Sequence, residues 1–243
     1  MKISELFYSI QGEGKRIGSP SFFIRTNYCN LRCKFSSGNL CDTAYTSWFP
    51  DDEKNLGEVE INFIIDEYKK VNCLDTVISG GEPTIYLHEL ETLCRELKKT
   101  NKNIFITVES NGTAVGDFVK YVDLMSISPK LKSSVPYNTE YEKMHEKARI
   151  NLESLRKYNS FKNEDTIDIQ WKFVFTSVND IAEIKILQKE IGFKDEDVYL
   201  MPEGITQEDL VSNRLSTIEA CKKYNFNYTD RIHILVWGNK RGT

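Results

Sequence analysis

Short apolar runs alternate with amphipathic helical stretches along most of this chain, and that alternation leaves few folds open. Ile3 to Ile10 is strand-like, and Phe22-Phe23-Ile24 is a buried run ending at Arg25. Thr76 to Ser79, Ile104 to Val108, Leu124 to Ile127, Ile167 to Phe175 and Val198 to Met201 have the same character. Ile232 to Trp237 reads as the last strand. Between these runs, Ile61, Ile64, Ile65 and Tyr68 share one helical face. Leu87, Leu90, Leu93, Cys94 and Leu97 share another, and Ile181, Ile184, Leu187 and Ile191 a third. Glu140 to Tyr158 reads as one charged helix and Leu210 to Tyr224 as another. Strands separated by helices build parallel βαβ units. The expectation is an α/β fold of mostly parallel strands, residues 1–243 forming a single domain. The pattern by itself leaves a doubly wound sheet and a partial barrel equally open.

Folds of this kind place their chemistry in loops at the C-terminal ends of the strands. The unusual residues of this chain lie in such loops. Cys29, Cys33 and Cys41 follow the Phe22-Phe23-Ile24 run with the spacing Cys-x3-Cys-x7-Cys. Three thiolates in one loop can hold a metal centre and leave one coordination position vacant. A structural zinc site normally takes four protein ligands, and His88, His145 and His233 all lie far away in sequence. Buried, inert thiols are the remaining alternative. The Ser79-Gly80-Gly81-Glu82-Pro83 segment is an ordinary strand-to-helix turn in the plainest reading. It also lets a small ligand lie against bare backbone. Cys73, Cys94 and Cys221 read as packing residues, Cys94 in phase with a leucine stripe.

Composition narrows the function classes. Hydrophobic residues at 40% and aromatics at 12% sustain a core and argue against disorder. A formal net charge of -4 argues against a broad nucleic-acid-binding face, while leaving room for a local anion site. The start, Met1-Lys2-Ile3-Ser4-Glu5, lacks the apolar core of a signal peptide, and no run approaches a membrane span. The expectation is a soluble cytoplasmic protein with reduced thiols, no membrane partner and no nucleic-acid partner.

The cysteine triad and the Gly-Gly-Glu-Pro turn together resemble the radical S-adenosylmethionine (SAM) enzymes. Within them, Ser9-Ile10-Gln11-Gly12-Glu13-Gly14, Phe23-Ile24-Arg25, Cys41-Asp42-Thr43 and the His233 to Gly242 tail are similar to the family of 7-carboxy-7-deazaguanine synthases of the queuosine pathway. Glu109-Ser110-Asn111-Gly112-Thr113 and Ser128-Pro129-Lys130 extend the likeness from end to end. The usual superfamily spacing is Cys-x3-Cys-x2-Cys, so Lys34 to Leu40 is five residues longer than expected. Lengthening a loop costs little closure entropy, so the three thiolates are still expected to converge.

What the resemblance implies is specific. The fold is a partial (β/α) barrel of the radical SAM type. Cys29, Cys33 and Cys41 hold a 4Fe–4S cluster, and SAM chelates the remaining iron. Gly80, Gly81, Glu82, Glu109, Asn111, Ser128, Pro129, Lys130 and Lys172 lie along that cofactor, as do Met201, Pro202, Glu203 and Gly204. Ile10, Gln11, Gly12, Glu13, Arg25, Ser79, His233 and Thr243 contact the substrate. Thr43 offers its hydroxyl to Mg²⁺, whereas the plainer reading makes it a helix N-cap. Arg25 either caps the sheet edge or uses its planar fork on a substrate carboxylate. His233 is otherwise a satisfied core histidine. The implied reaction is the ring contraction of 6-carboxy-5,6,7,8-tetrahydropterin to 7-carboxy-7-deazaguanine with loss of ammonia. The implied partners are an electron donor such as flavodoxin or ferredoxin and a second copy in a homodimer. Two rivals remain at this point: a glycyl-radical-enzyme activase, and a non-catalytic iron–sulfur or zinc-binding module.

Overall fold

One nine-stranded sheet runs through the molecule. The structure, a computed structural model, describes residues 1–71 and 73–243. The strands are β1 (Lys2–Ile10), β2 (Pro20–Thr26), β3 (Gly57–Glu58), β4 (Asp75–Gly80), β5 (Phe105–Ser110), β6 (Leu124–Ile127), β7 (Asp168–Phe175), β8 (Val198–Pro202) and β9 (Asn227–Tyr228). Their order across the sheet is β3-β1-β2-β4-β5-β6-β7-β8-β9. β1 pairs antiparallel with β2 and β3, and every other pairing is parallel. The helices are α1 (Ala44–Ser47), α2 (Ile61–Val71), α3 (Leu87–Thr100), α4 (Glu142–Ala148), α5 (Leu152–Asn163), α6 (Asn179–Ile191), α7 (Gln207–Tyr224) and α8 (Ile232–Trp237).

The helical faces expected from sequence form the outer side of the core. Ile64, Ile65 and Tyr68 of α2, Leu90, Leu93, Cys94 and Leu97 of α3, and Ile181, Ile184, Leu187 and Ile191 of α6 are all buried against the sheet. Leu87, at the start of α3, departs from its stripe and is 37% exposed. Among the described residues no helix is long and apolar enough to cross a membrane.

The inner side of the sheet is polar, and a short turn between β1 and β2 shows that the sheet is rolled. Arg16 bonds Asp75 at the start of β4. The backbone N–H of Lys15 donates to Gln170 of β7 at 2.7 Å, and that of Gly14 donates to Thr229 beyond β9 at 2.6 Å. In a flat sheet β4 and β9 would stand about 24 Å apart, at about 4.8 Å per strand. Three consecutive residues span a fraction of that distance. Strands β4 to β9 therefore curl around the turn as a partial barrel. Gly14 has φ +68°, and a Cβ there would lie 2.2 Å from Gln170 Nε2, so only glycine admits the turn so deeply.

Two elements differ from the sequence reading. The charged helix expected over Glu140 to Tyr158 is two helices. Asn151 adopts an extended backbone and accepts from the Ser154 N–H at 3.3 Å, capping α5, while its Nδ2 donates to Thr113 O at 2.9 Å. Asparagine favours that capping role over a helix interior, which is why the run breaks there. The second difference is Ile232 to Trp237, a helix rather than the last strand. Six apolar residues carry too little periodicity to separate the two. Here Ile234 is buried, Val236 and Trp237 are exposed, and β9 closes the sheet instead.

Candidate active site

The loop after β2 brings the three cysteines to one cavity at the C-terminal ends of the strands. The extra length between Cys33 and Cys41 is a small closed hairpin. Lys34 bridges Leu40, Phe35 N–H donates to Asn39 O at 2.9 Å, and Cys41 N–H donates to Cys33 O at 3.2 Å. The excursion thus returns Cys41 directly beside Cys33. The rest of the loop is pinned by backbone contacts. Arg32 Nη1 donates to Cys29 O at 2.7 Å, Trp48 Nε1 donates to Cys33 O at 3.0 Å, and the Arg32 N–H donates to the buried His145 Nδ1 at 3.2 Å.

All three thiols line that cavity, and burial pushes each of them up, Cys41 to about 12. Protons would therefore leave as a metal centre forms. A structural zinc site normally takes four protein ligands, whereas three thiols on one cavity suit a cluster that leaves one position to a non-protein ligand. Glu13, Asp42 and His233 form a second group on the same cavity, with ligand atoms within 4.8 Å of one another.

The glycine turn after β4 meets the cysteine loop backbone to backbone. A Cβ on Gly81 would lie 1.9 Å from Tyr28 O, and Gly80, at φ +128°, has Thr26 O at 2.2 Å from the same position. Gly81 N–H donates to Thr26 O at 3.0 Å and Glu82 N–H to Tyr28 O at 2.8 Å. Glu82 lines the cavity with a carboxylate already engaged by protein. Oε1 accepts from Thr84 N–H, Thr84 Oγ1 and Ser110 Oγ, and Oε2 accepts from Asn111 N–H at 2.6 Å. It ties the turn to the end of β5.

A chain of buried charge fills the far wall. Lys172 Nζ lies 2.5 Å from Glu13 and 3.5 Å from Glu109. Arg231 lies 3.7 Å from Glu13 and 3.4 Å from Asp42, and donates to Gly204 O at 2.8 Å. Burial works to raise both carboxyls, but the surrounding cations overcome it. Lys172 then Arg231 hold Glu13 below its ordinary range, and Arg231 holds Asp42 well below. Burial lowers His233 despite Glu13 and Asp42, so its imidazole is neutral near pH 7. Glu109 also accepts from Gln11 Nε2 at 3.1 Å and Ser79 Oγ at 2.8 Å, linking both halves of the cavity.

Arg25 spends Nε on Glu5 at 2.7 Å, and its Nη atoms make no protein hydrogen bond among the described residues. Tyr45 OH donates to the same Glu5 oxygen at 2.6 Å. Thr43 sits at the N-cap position of α1 without a side-chain cap bond; its hydroxyl lies 3.4 Å from Cys41 Sγ. The tail folds back so that Thr243 lines the cavity, held by Arg241, which stacks 4.0 Å over Tyr45 and donates to Asn55 at 2.9 Å.

Every candidate cluster, cofactor, magnesium or substrate residue named from sequence lines this one cavity except Pro202, which is buried in β8. Asp42, Tyr45 and Arg231 line it without having been singled out. Asp42 stands inside the Cys-Asp-Thr signature, so its neighbours were signal enough. Arg231 gave no signal, because it lay at the start of a stretch read as a strand.

The Radical SAM superfamily model matches residues 23–163. A 7-carboxy-7-deazaguanine synthase of Halobacterium salinarum (strain ATCC 29341 / DSM 671 / R1) is 36% identical over 98% of this chain and 91% of its own length. This chain belongs to the 7-carboxy-7-deazaguanine synthase family of radical SAM enzymes. A second relative with that name, from Rhodopirellula baltica (strain DSM 10527 / NCIMB 13988 / SH1), is 34% identical over 99% of this chain and 88% of its own. The crystal structure of QueE from Escherichia coli superposes with a TM-score of 0.64 at 22% identity, covering 94% of this chain and 92% of that one. At that identity it speaks for the fold. Streptococcus suis SuiB bound to S-adenosylmethionine shares the fold more loosely, with a TM-score of 0.53 over 87% of this chain and 53% of that one. Membership of the superfamily implies a 4Fe–4S cluster and SAM, and the thiol triad fits the first.

Proposed function

We propose that the protein converts 6-carboxy-5,6,7,8-tetrahydropterin to 7-carboxy-7-deazaguanine, releasing ammonia, with Cys29, Cys33 and Cys41 as cluster ligands and Mg²⁺ at Thr43. The observation that carries this reading is that the cysteine loop and the Glu13–Asp42–His233 group open on one cavity. When bound, the cluster and SAM together supply the reductive cleavage and hydrogen abstraction, and the protein supplies orientation and exclusion of water.

The side chains divide that work by chemistry. Gly80 and Gly81 let a ligand lie against backbone, with Glu109, Asn111, Ser128, Pro129 and Lys130 flanking the cofactor half. Met201, Glu203 and Gly204 close that half from β8. On the substrate half, Arg25 turns its Nη atoms to a carboxylate, since its Nε is already committed to Glu5. Glu13, kept ionised by Lys172 and Arg231, accepts from substrate N–H groups. Neutral His233 takes either hydrogen-bonding role, and Gly12 makes room for it, since a Cβ there would lie 2.3 Å from its Nδ1. Gln11 and Ser79 reach the substrate from opposite sides of Glu109. Thr43, with no capping duty for its hydroxyl, offers a hard oxygen to Mg²⁺. A flavodoxin or ferredoxin delivers the electron, and the active form is a homodimer.

The test is anaerobic reconstitution with iron and sulfide, reduction, and addition of SAM with the carboxypterin. Deazaguanine product with little net loss of SAM is the expected result. 5′-Deoxyadenosine accumulating without product would point to an activase-like enzyme. A colourless protein that retains zinc would leave only the binding module. Cys41→Ala is expected to abolish the brown chromophore, and its persistence would remove Cys41 from the ligand set.

A further inference from the structure

We propose that Asn39 is a positioning residue that ties the cysteine-loop hairpin to the end of β8 and thereby fixes Cys41. The proposal deepens the reading of Cys41 as a cluster ligand and rests on it. The hairpin from Lys34 to Leu40 is closed by its own hydrogen bonds, with Gly38 at φ +94° turning its tip. Nothing in that closure requires a contact elsewhere, yet Asn39 reaches across 164 residues of sequence. Its Nδ2 donates to Glu203 Oε1 at 2.9 Å and to Asp209 Oδ2 at 3.2 Å.

Glu203 belongs to the turn that lines the cavity beyond β8, and Asp209 stands in the first turn of α7, which follows it. Glu203 is 4% exposed. The Asp209 carboxylate also accepts from Ile205 N–H at 3.0 Å and Thr206 N–H at 3.2 Å, so it holds the turn's backbone as well as capping α7. A second tie reaches the same turn from the other side of Cys41, through Asp42, Arg231 and Gly204 O. Cys41 is therefore held on both flanks against one segment. Hydrogen bonds to a carboxylate are roughly twice as strong as neutral ones, so one amide shared by two carboxylates is a substantial anchor. The extra length between Cys33 and Cys41 supplies the residue that makes it. Phe35 and Leu40, which line the cavity, are carried into place by the same hairpin.

The charge pattern gives a test that a generic loop contact would not pass. Hydrogen exchange is followed at residues 34–41 and 203–206 in the whole chain, with and without the reconstituted cluster. Loss of the brown chromophore to an iron chelator is timed in parallel. Asn39→Ala is expected to speed exchange in both segments by roughly 10-fold and chromophore loss by about 10-fold. Asn39→Asp, which sets a third carboxylate beside Glu203 and Asp209, is expected to exceed it. Adding Glu203→Gln to Asn39→Asp restores an amide–carboxylate pair with the partners exchanged, and is expected to slow exchange again. Unchanged exchange at 203–206 in Asn39→Ala, or chromophore loss at the wild-type rate, overturns the proposal. Failure of the wild type to form any chromophore refutes the cluster reading instead, and the metal-free exchange comparison then decides the tie separately.

Discussion

Gly81 shows how a single atom governs this site. Its Cα lies so close to the Tyr28 carbonyl that a Cβ would sit 1.9 Å from the oxygen and 3.1 Å from Cys29 N. Both neighbours are backbone, so neither yields by a rotamer change. Gly81→Ala is expected to push the cysteine loop away, costing roughly 1–3 kcal/mol in urea unfolding and abolishing 5′-deoxyadenosine formation. Wild-type cleavage in that variant would show that the turn need not touch the loop. His145 makes a different point. It is fully buried, accepts from the Arg32 N–H and lies 3.3 Å from Ser134 Oγ, and burial followed by Lys130 and Arg149 lowers its pKa to about 4. The unfolded imidazole titrates near 6.5, so the unfolded chain binds the extra proton first. Stability is fully present above about pH 6.5 and falls as pH drops toward about 4, by roughly 3 kcal/mol. His145→Gln is expected to flatten that limb of the urea-midpoint profile; an unchanged profile would assign the loss to other groups.

At the scale of elements, local chemistry chose between readings that periodicity left level. Asn151 ends one helix and begins the next because its short amide satisfies the α5 N-terminus and Thr113 O together. Asn151→Ala is expected to cost about 1 kcal/mol in chemical denaturation and to loosen the link from α5 to the loop after β5. No measurable loss would mean that packing of Leu155 and Tyr158 holds α5 by itself. The helix α8 is set in the opposite way, by distant partners: Ile232 N–H donates to Gly12 O at 3.1 Å, and Arg231 bonds Gly204 O. Those contacts seat His233 against Gly12. A strand there would have carried the histidine elsewhere.

Across the whole molecule, the turn at residues 14–16 acts as a plug inside the curled sheet, gathering β4, β7 and the segment beyond β9. Arg16 is its anchor on β4, bonding Asp75 and lying 4.3 Å over the Phe105 ring. Asp75 is 3% exposed, and its other side-chain partner is Ser21 Oγ at 3.0 Å. Arg16→Ala is expected to leave that carboxylate buried with a single hydroxyl donor and to cost roughly 2–3 kcal/mol. Because Glu13 immediately precedes the same turn, the variant is also expected to raise KM for the pterin. A stability loss without that change in KM would show that the plug and the site are mechanically separate.

Much of the site was legible in the chain because its parts are contiguous words: the cysteine triad, the glycine turn, Gln11-Gly12-Glu13 and the polar strand ends. Alternating apolar runs likewise foretold parallel strands, since a strand buried on both faces has little choice of residue. Local patterns could not show Arg231 between Asp42 and Glu13, Lys172 between Glu13 and Glu109, or Asn39 on Glu203 and Asp209. Each of those pairings depends on strands that meet only when the sheet curls. Sequence periodicity reports which face of an element is apolar, whereas the buried charge network is decided by which elements the closed fold sets side by side.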